Sequence, residues 1–189
     1  GYVHRNDDPP DRYDYYVIRL PRPGIVTFKV DVSSDLSHEI YFYEPDGKTL
    51  RERNTAGYDT TRTMVCKNLL ADTNYYLLIY NYSGVGNYEL TSSYLPIPIA
   101  KFTAITNLST LYLNDESIHG DSLIWDFGDG NTSTKRNPTH QYEMPGYYTV
   151  TLRAINAAGE DSVKHYASVR GIQHIVSDRG GNGGKVTAR

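Results

Sequence analysis

The chain has 189 residues, a formal net charge of −3, a pI near 6.1 and 39% hydrophobic residues. That length holds one large or two small domains with packed cores, and the acidic balance, with no Lys/Arg run, excludes the basic face of a general nucleic-acid binder. No apolar run approaches the roughly 18 residues of a membrane span, and the ends at Gly1 and Arg189 read as those of a fragment whose targeting segments lie elsewhere.

Polar and apolar residues alternate through most of the chain and helical periodicity is almost absent, which predicts an all-β protein. At the N-terminus Asn6, Asp7 and Asp8 join Asp11 and Asp14, in a pattern shared with Asp31 and Asp35. A solvated arm is the first reading and a calcium site the second. From Tyr15 to Leu20, residues Tyr16, Ile18 and Leu20 share a face. Pro21-Arg22-Pro23-Gly24 turns the chain, and the strand over 25–32 puts Val26, Phe28, Val30 and Val32 on one side. The strand over 39–43 ends at Glu44-Pro45-Asp46-Gly47, where Pro presets φ and Gly tolerates positive φ. A short polar strand is predicted over 48–52, another over 60–66 and a long aromatic one over 74–82. After Ser83-Gly84-Val85-Gly86 a strand over 87–94 holds Tyr88, Leu90 and Tyr94 in register.

Leu95-Pro96-Ile97-Pro98-Ile99 marks a boundary. Its alternate prolines cannot donate to a central sheet and hold the backbone extended, so it reads as a short stiff linker or a first edge strand. In the second half, Tyr148, Val150, Leu152 and Ala154 form the inward face of a late strand. Past Gly171, the loop Ser177-Asp178-Arg179-Gly180-Gly181-Asn182-Gly183-Gly184 leads to Lys185-Val186-Thr187-Ala188, either a truncated further β-module or a tail. The division is therefore 1–95, 96–170 and 171–189.

Few residues point to chemistry. In Trp125-Asp126-Phe127-Gly128-Asp129-Gly130 the two rings alternate with Asp126 and face a core, and the glycines make a tight turn. For Asp126 and Asp129, hydrogen bonding to turn backbone is the first reading, calcium the second and an acid/base pair the last. Gly128 and Gly130 stand where an EF-hand wants ligand side chains. Asp126-Phe127-Gly128 matches the kinase metal triplet by letter only, since the other kinase elements are missing. His38-Glu39 opens like a zinc-protease motif, but Phe42 stands where the second histidine belongs. The six histidines (His4, His38, His119, His140, His165, His174) lack metal-ligand spacing, and His140 is read as a structural hydrogen-bonding residue. Cys66 is the only cysteine; it reads as a small buried hydrophobe with no base to activate it. Asn81, Asn107 and Asn131 begin glycosylation triplets, a short pattern common by chance. No residue is assigned as catalytic, cofactor-binding or metal-binding. The 18 tyrosines against 4 Phe and 1 Trp suit the rims of β-sheets, or a surface on which sugars stack.

Two resemblances organise these observations. Residues 10–94 resemble the bacterial pre-peptidase C-terminal (PPC) domain, a jelly-roll-like β-sandwich. The similarity rests on Asp14-Tyr15-Tyr16-Val17-Ile18-Arg19-Leu20, the Gly24-led second strand, Ile40-Tyr41-Phe42-Tyr43 with Pro45-Asp46-Gly47, Leu69 to Leu77, and Gly86-Asn87-Tyr88-Glu89-Leu90. The family usually has Gly where Asp72-Thr73-Asn74 turns. Residues 97–169 resemble the PKD domain, an immunoglobulin-like β-sandwich, through four pieces in order: Trp125 to Gly130, Asn137-Pro138-Thr139-His140-Gln141-Tyr142, Pro145 to Leu152, and Asn156-Ala157-Ala158-Gly159. The resemblances imply two tandem β-sandwiches in a secreted or cell-surface bacterial protein. The segment would be non-catalytic, spacing domains and contacting polysaccharide, glycan or protein. The alternative is a substrate-presenting region of a protease or glycosidase whose catalytic domain lies outside this chain. No cofactor is implied, calcium being the one ion left open, and no nucleic acid or membrane span is expected.

Overall fold

The computed structural model describes residues 12–32, 36–55, 61–83 and 86–171. Asn6, Asp7, Asp8, Asp11 and Asp35 of the acidic group lie outside these residues, as do the Ser177–Gly184 loop and Lys185–Ala188. The described residues are all-β, and none of their elements is a helix long and apolar enough to cross a membrane. By packing, the chain divides into two compact units between Ile97 and Pro98, with Ala157–Gly159 grouped with the first.

The first unit contains Tyr13–Arg19 (β1), Gly24–Val32 (β2), Ser37–Tyr43 (β3), Leu50–Thr55 (β4), Arg62–Leu69 (β5), Asn74–Ser83 (β6) and Tyr88–Pro96 (β7). They form an antiparallel sheet of order β1-β6-β3-β4 and a second of order β5-β2-β7. Because side chains alternate across a strand, each sheet turns one apolar set inward. Val26, Phe28 and Val30 on β2 and Met64 and Cys66 on β5 meet Ile40 and Phe42 on β3 and Tyr75, Leu77 and Ile79 on β6. Phe28 lies 5.7 Å from Phe42 between ring centroids, and Phe42 stacks on Tyr75 at 5.6 Å. The β3–β6 pairing is nested within the β2–β7 pairing, a long-range wrapping that gives the sandwich its jelly-roll character.

Three local expectations shift. The polar strand predicted over 48–52 begins at Leu50 and runs to Thr55, because Asp46 Oδ1 accepts the amides of Lys48 and Thr49, both at 2.8 Å, and draws them into the turn. Tyr94 shares the parity of Tyr88 and Leu90 but is 36% exposed, with its hydroxyl donated to the Arg22 carbonyl at 2.8 Å. Leu95 and Pro96 are not linker: they complete β7 opposite Ile25 and Gly24. Pro96 fits there because β7 is an edge strand and Pro, lacking an N–H, sits at its end. Ile99 already bridges Ile118.

The second unit contains Phe102–Asn107 (β8), Thr110–Asp115 (β9), Ser122–Asp126 (β10), Thr132–Ser133 (β11), Thr139–Gln141 (β12), Gly146–Asn156 (β13) and Gly159–Val169 (β14). Its sheets are β11-β10-β13-β14 and β12-β9-β8, an immunoglobulin-like sandwich. Trp125 and Phe127 point inward as their alternation with Asp126 predicts, among Phe102, Leu111, Val150 and Leu152. Trp125 is fully buried and donates its indole N–H to the Lys135 carbonyl at 2.9 Å. Phe102 meets it edge-on at 5.0 Å.

Candidate binding face

The outward residues of the four-stranded sheet in the first unit are mostly tyrosine. With Tyr16 and Ile18 of β1 packed inward, Tyr13, Tyr15 and Val17 face outward and are 46%, 62% and 56% exposed. Strand pairing sets Tyr13 opposite Tyr80, Tyr15 opposite Leu78 and Val17 opposite Tyr76 on β6. The next strand continues the rows with Glu39, Tyr41 and Tyr43. Arg53 on β4 stands opposite Tyr41. Six tyrosines thus share one surface, on strands about 4.8 Å apart.

The rings are held in place. Tyr13 stacks on Tyr80 at 4.7 Å with planes 13° apart, and Tyr41 on Tyr43 at 6.4 Å. The Tyr41 hydroxyl donates to Glu39, Arg53 lies over the Tyr41 ring at 5.4 Å, and Arg53 also reaches Glu39 at 3.5 Å. Leu78, flanked by Tyr15 and Tyr41 in the register, is only 7% exposed although it faces outward. The neighbouring Tyr80 phenol, then burial, push the pKa of Tyr13 up. The hydrogen bond to Glu39, then burial, raise that of Tyr41. Both rings stay neutral at physiological pH. The surface offers flat π faces, apolar edges and phenol hydroxyls, which suits stacking against sugar or pyrrolidine rings.

Sequence parity identified the inward residues of β1, but not this grouping. The signal was present in Tyr13-x-Tyr15-x-Val17 and Tyr76-x-Leu78-x-Tyr80, and becomes a surface only when β1 is known to lie beside β6.

The other candidate residues separate. Asp126 Oδ1 accepts the Gly128 amide at 2.8 Å and Asp129 Oδ1 the Asn131 amide at 3.0 Å, the turn role read from the sequence. His140 Nε2 lies 2.7 Å from Asp129 Oδ2 and its ring stacks on Phe127 at 4.1 Å. Burial, the largest single influence on Asp129, pushes its carboxyl up. The bonds from the Asn131 amide, the His140 ring and the Asn131 side chain together outweigh burial and hold it below the usual range. Tyr142 donates to the Phe127 carbonyl at 2.8 Å. This cluster fastens a turn to the neighbouring sheet. His38 and Glu39, adjacent on β3, point to opposite faces, His38 buried and Glu39 among the tyrosines. Burial pushes the Cys66 thiol up to about 12, which leaves it inert. Asp14 and Asp31 are engaged by Tyr88 and by Lys29, both at 2.6 Å. Among the described residues no three His, Cys, Asp or Glu side chains cluster closely enough to hold a metal ion.

Comparison with known proteins places the second unit. The family model of the PKD domain matches residues 99–170. A microbial collagenase of Vibrio alginolyticus is 41% identical over 61 residues, 32% of this chain and 7% of that protein. Collagenase ColA of Bacillus cereus is 40% identical over 76 residues, 33% of this chain and 8% of that protein. The crystal structure of the PKD1 domain from the Vibrio cholerae metalloprotease PrtV is 32% identical, covering 39% of this chain and 98% of that one with a TM-score of 0.37. The chain therefore matches less than a tenth of the length of either collagenase.

Proposed function

We propose that the chain, whose residues 99–170 match the family model of the PKD domain, is a non-catalytic accessory segment of a longer, secreted bacterial hydrolase. Its task is to hold a macromolecular substrate near a catalytic domain encoded elsewhere in the same protein. The observation that carries this reading is the tyrosine face of the first unit, formed by Tyr13, Tyr15, Tyr41, Tyr43, Tyr76 and Tyr80. We assign that unit to the PPC-like class on its strand motifs and nested pairing. The collagenase relatives favour a fibrous protein, rich in pyrrolidine rings, over a polysaccharide. Weak stacking at one face gains avidity when several modules are linked.

Co-sedimentation of the 189-residue chain with collagen fibrils, cellulose and chitin tests the reading. Collagen should retain it in the micromolar range while the polysaccharides release it. Equal retention on all three, or none on any, would remove it. Cofactor-free binding is part of the proposal: retention should be the same in chelator and in millimolar calcium.

A further inference from the structure

We propose that the uncovered edge of β10 in the PKD domain docks an extended peptide bearing an acidic side chain. The site shares no residue with the tyrosine face. β10 pairs along its whole length with β13, from Ser122 to Asp126. On its other side β11 covers only Trp125 and Asp126. Beyond β11 the chain is drawn away: Ser133 Oγ accepts the Lys135 amide at 3.2 Å, and Trp125 Nε1 holds the Lys135 carbonyl at 2.9 Å. Ser122, Leu123 and Ile124 are left with no strand partner on that side among the described residues. A strand edge presents backbone N–H and C=O groups in a row, and another extended polypeptide is the ligand that matches such a row.

Side chains around the edge form a groove of about 440 Å³ lined by Ser122, Leu123, Ile124, Thr134, Asp115 and Arg136. Leu123 and Ile124 are half-buried and supply apolar contact. Arg136 supplies charge, and it is held in place. Asp115, its side chain 2% exposed, binds Arg136 Nε at 3.2 Å. Asp115 Oδ1 also accepts the Ser117 amide at 2.9 Å, and the Asp115 amide donates to Asn137 Oδ1 at 2.9 Å. The Arg136 side chain is 75% exposed, and its terminal nitrogens have no other partner among the described residues. A guanidinium fixed at one edge by a buried carboxylate is prepared to take a second carboxylate at the other. Asp121 lines the same groove, so a single acidic side chain placed at Arg136 is favoured over an acidic run.

The test uses the full ¹⁵N-labelled chain and an acetylated, amidated pentapeptide of sequence Thr-Val-Glu-Val-Thr. Binding should shift the amide signals of Ser122, Leu123 and Ile124, and should slow hydrogen exchange at Leu123, whose N–H points away from β13 because amides alternate along the ladder. Replacing the peptide's Glu by Gln should weaken it about fivefold or more, and Arg136→Gln should remove the difference between the two peptides. N-methylation of alternate peptide amides should abolish binding if the edge pairs as a strand. The peptide changes leave the protein intact, so loss of fold in the Arg136 variant does not blur the answer. No signal change at millimolar peptide, changes confined to Tyr13–Tyr80, or equal binding of the N-methylated peptide would each overturn the proposal.

Discussion

Tyr88 on β7 donates its hydroxyl to Asp14 on β1 across 2.6 Å, and the Tyr16 hydroxyl lies 2.6 Å from that of Tyr88. β1 and β7 are edge strands of different sheets and share no ladder. The Asp14–Tyr88–Tyr16 chain therefore ties the sheets together along one open side of the sandwich. Burial, then the bond to Asp14, push the pKa of Tyr88 far upward, so it remains a donor at any working pH. A hydrogen bond to a charged acceptor contributes about 1.5–3 kcal/mol, and Tyr88→Phe should cost the first unit that much. Trp125 is the only tryptophan and sits in the second unit, so its fluorescence should keep its urea midpoint while the tyrosine signal shifts to lower urea. An unchanged tyrosine midpoint would show that the tie is idle.

Gly128 and Gly130 flank Asp129 with φ of +79° and +93°, yet they should respond differently to substitution. A Cβ on Gly128 would lie 2.6 Å from the Thr149 carbonyl oxygen, whereas one on Gly130 would meet nothing within 4 Å. Gly130→Ala bears only the left-handed backbone cost of about 1 kcal/mol. Gly128→Ala adds a clash with backbone and should lose about 3 kcal/mol or more. Urea titrations followed by Trp125 fluorescence measure both, and equal losses would mean that the turn relaxes freely.

These contrasts show what could be read from the residues alone. The inward faces of β1, β2 and β13, the core positions of Trp125 and Phe127 and the turn at Gly128 to Gly130 follow from alternation and glycine chemistry, which are local. The start of β4 was misplaced because Asp46 captures two amides, a side-chain competition with the ladder that periodicity does not register. Tyr94 was placed with Tyr88 and Leu90 on parity alone, but β7 runs past the packed part of the sandwich there. The tyrosine face was hidden for a different reason. Parity gives a strand two faces but no neighbours, and Tyr13 meets Tyr80 only because β6 returns beside β1 after four intervening strands.

His38 predicts a pH dependence for the first unit. It is fully buried, and neither ring nitrogen has a hydrogen-bond partner. Burial, then the charge of Arg62, push it down to about 4 from an ordinary 6.5. Between those values the unfolded chain binds a proton that the folded chain refuses. Stability is therefore full above pH 6.5, falls as the pH drops towards about 4, and levels off below, by at most about 3 kcal/mol. His38→Leu should flatten that slope in urea midpoints measured from pH 7 to 4. Asp46 acts in a lower window. The Thr49 hydroxyl, then the Thr49 and Lys48 amides, bring its carboxyl down to about 2, so its contribution is present above pH 4 and lost as the pH falls through about 2. A slope that survives in the His38 variant between pH 6.5 and 4 would assign it to other groups.

The tyrosine face predicts a graded loss of substrate retention. Tyr15 is the most exposed ring of the set and stands beside Leu78, whereas Tyr41 is fixed by Glu39 and Arg53. A held ring loses little entropy when a ligand stacks on it, so it should contribute more per contact than a free one. Tyr41→Ala should therefore weaken collagen retention about tenfold or more, and Tyr15→Ala by less, about threefold to tenfold. Glu39→Gln keeps the ring but removes the charge that draws Arg53, and should fall between wild type and Tyr41→Ala. Tyr147→Ala is the control: at 88% exposure it is the barest tyrosine of the second unit, and its loss should leave retention unchanged. Co-sedimentation isotherms with matched thermal melts separate binding from folding. If Tyr147→Ala weakens retention as much as Tyr41→Ala, general aromatic stickiness explains the binding and the first unit has no special face. If Tyr41→Ala alone fails while Glu39→Gln behaves as wild type, the ring matters and its anchoring does not.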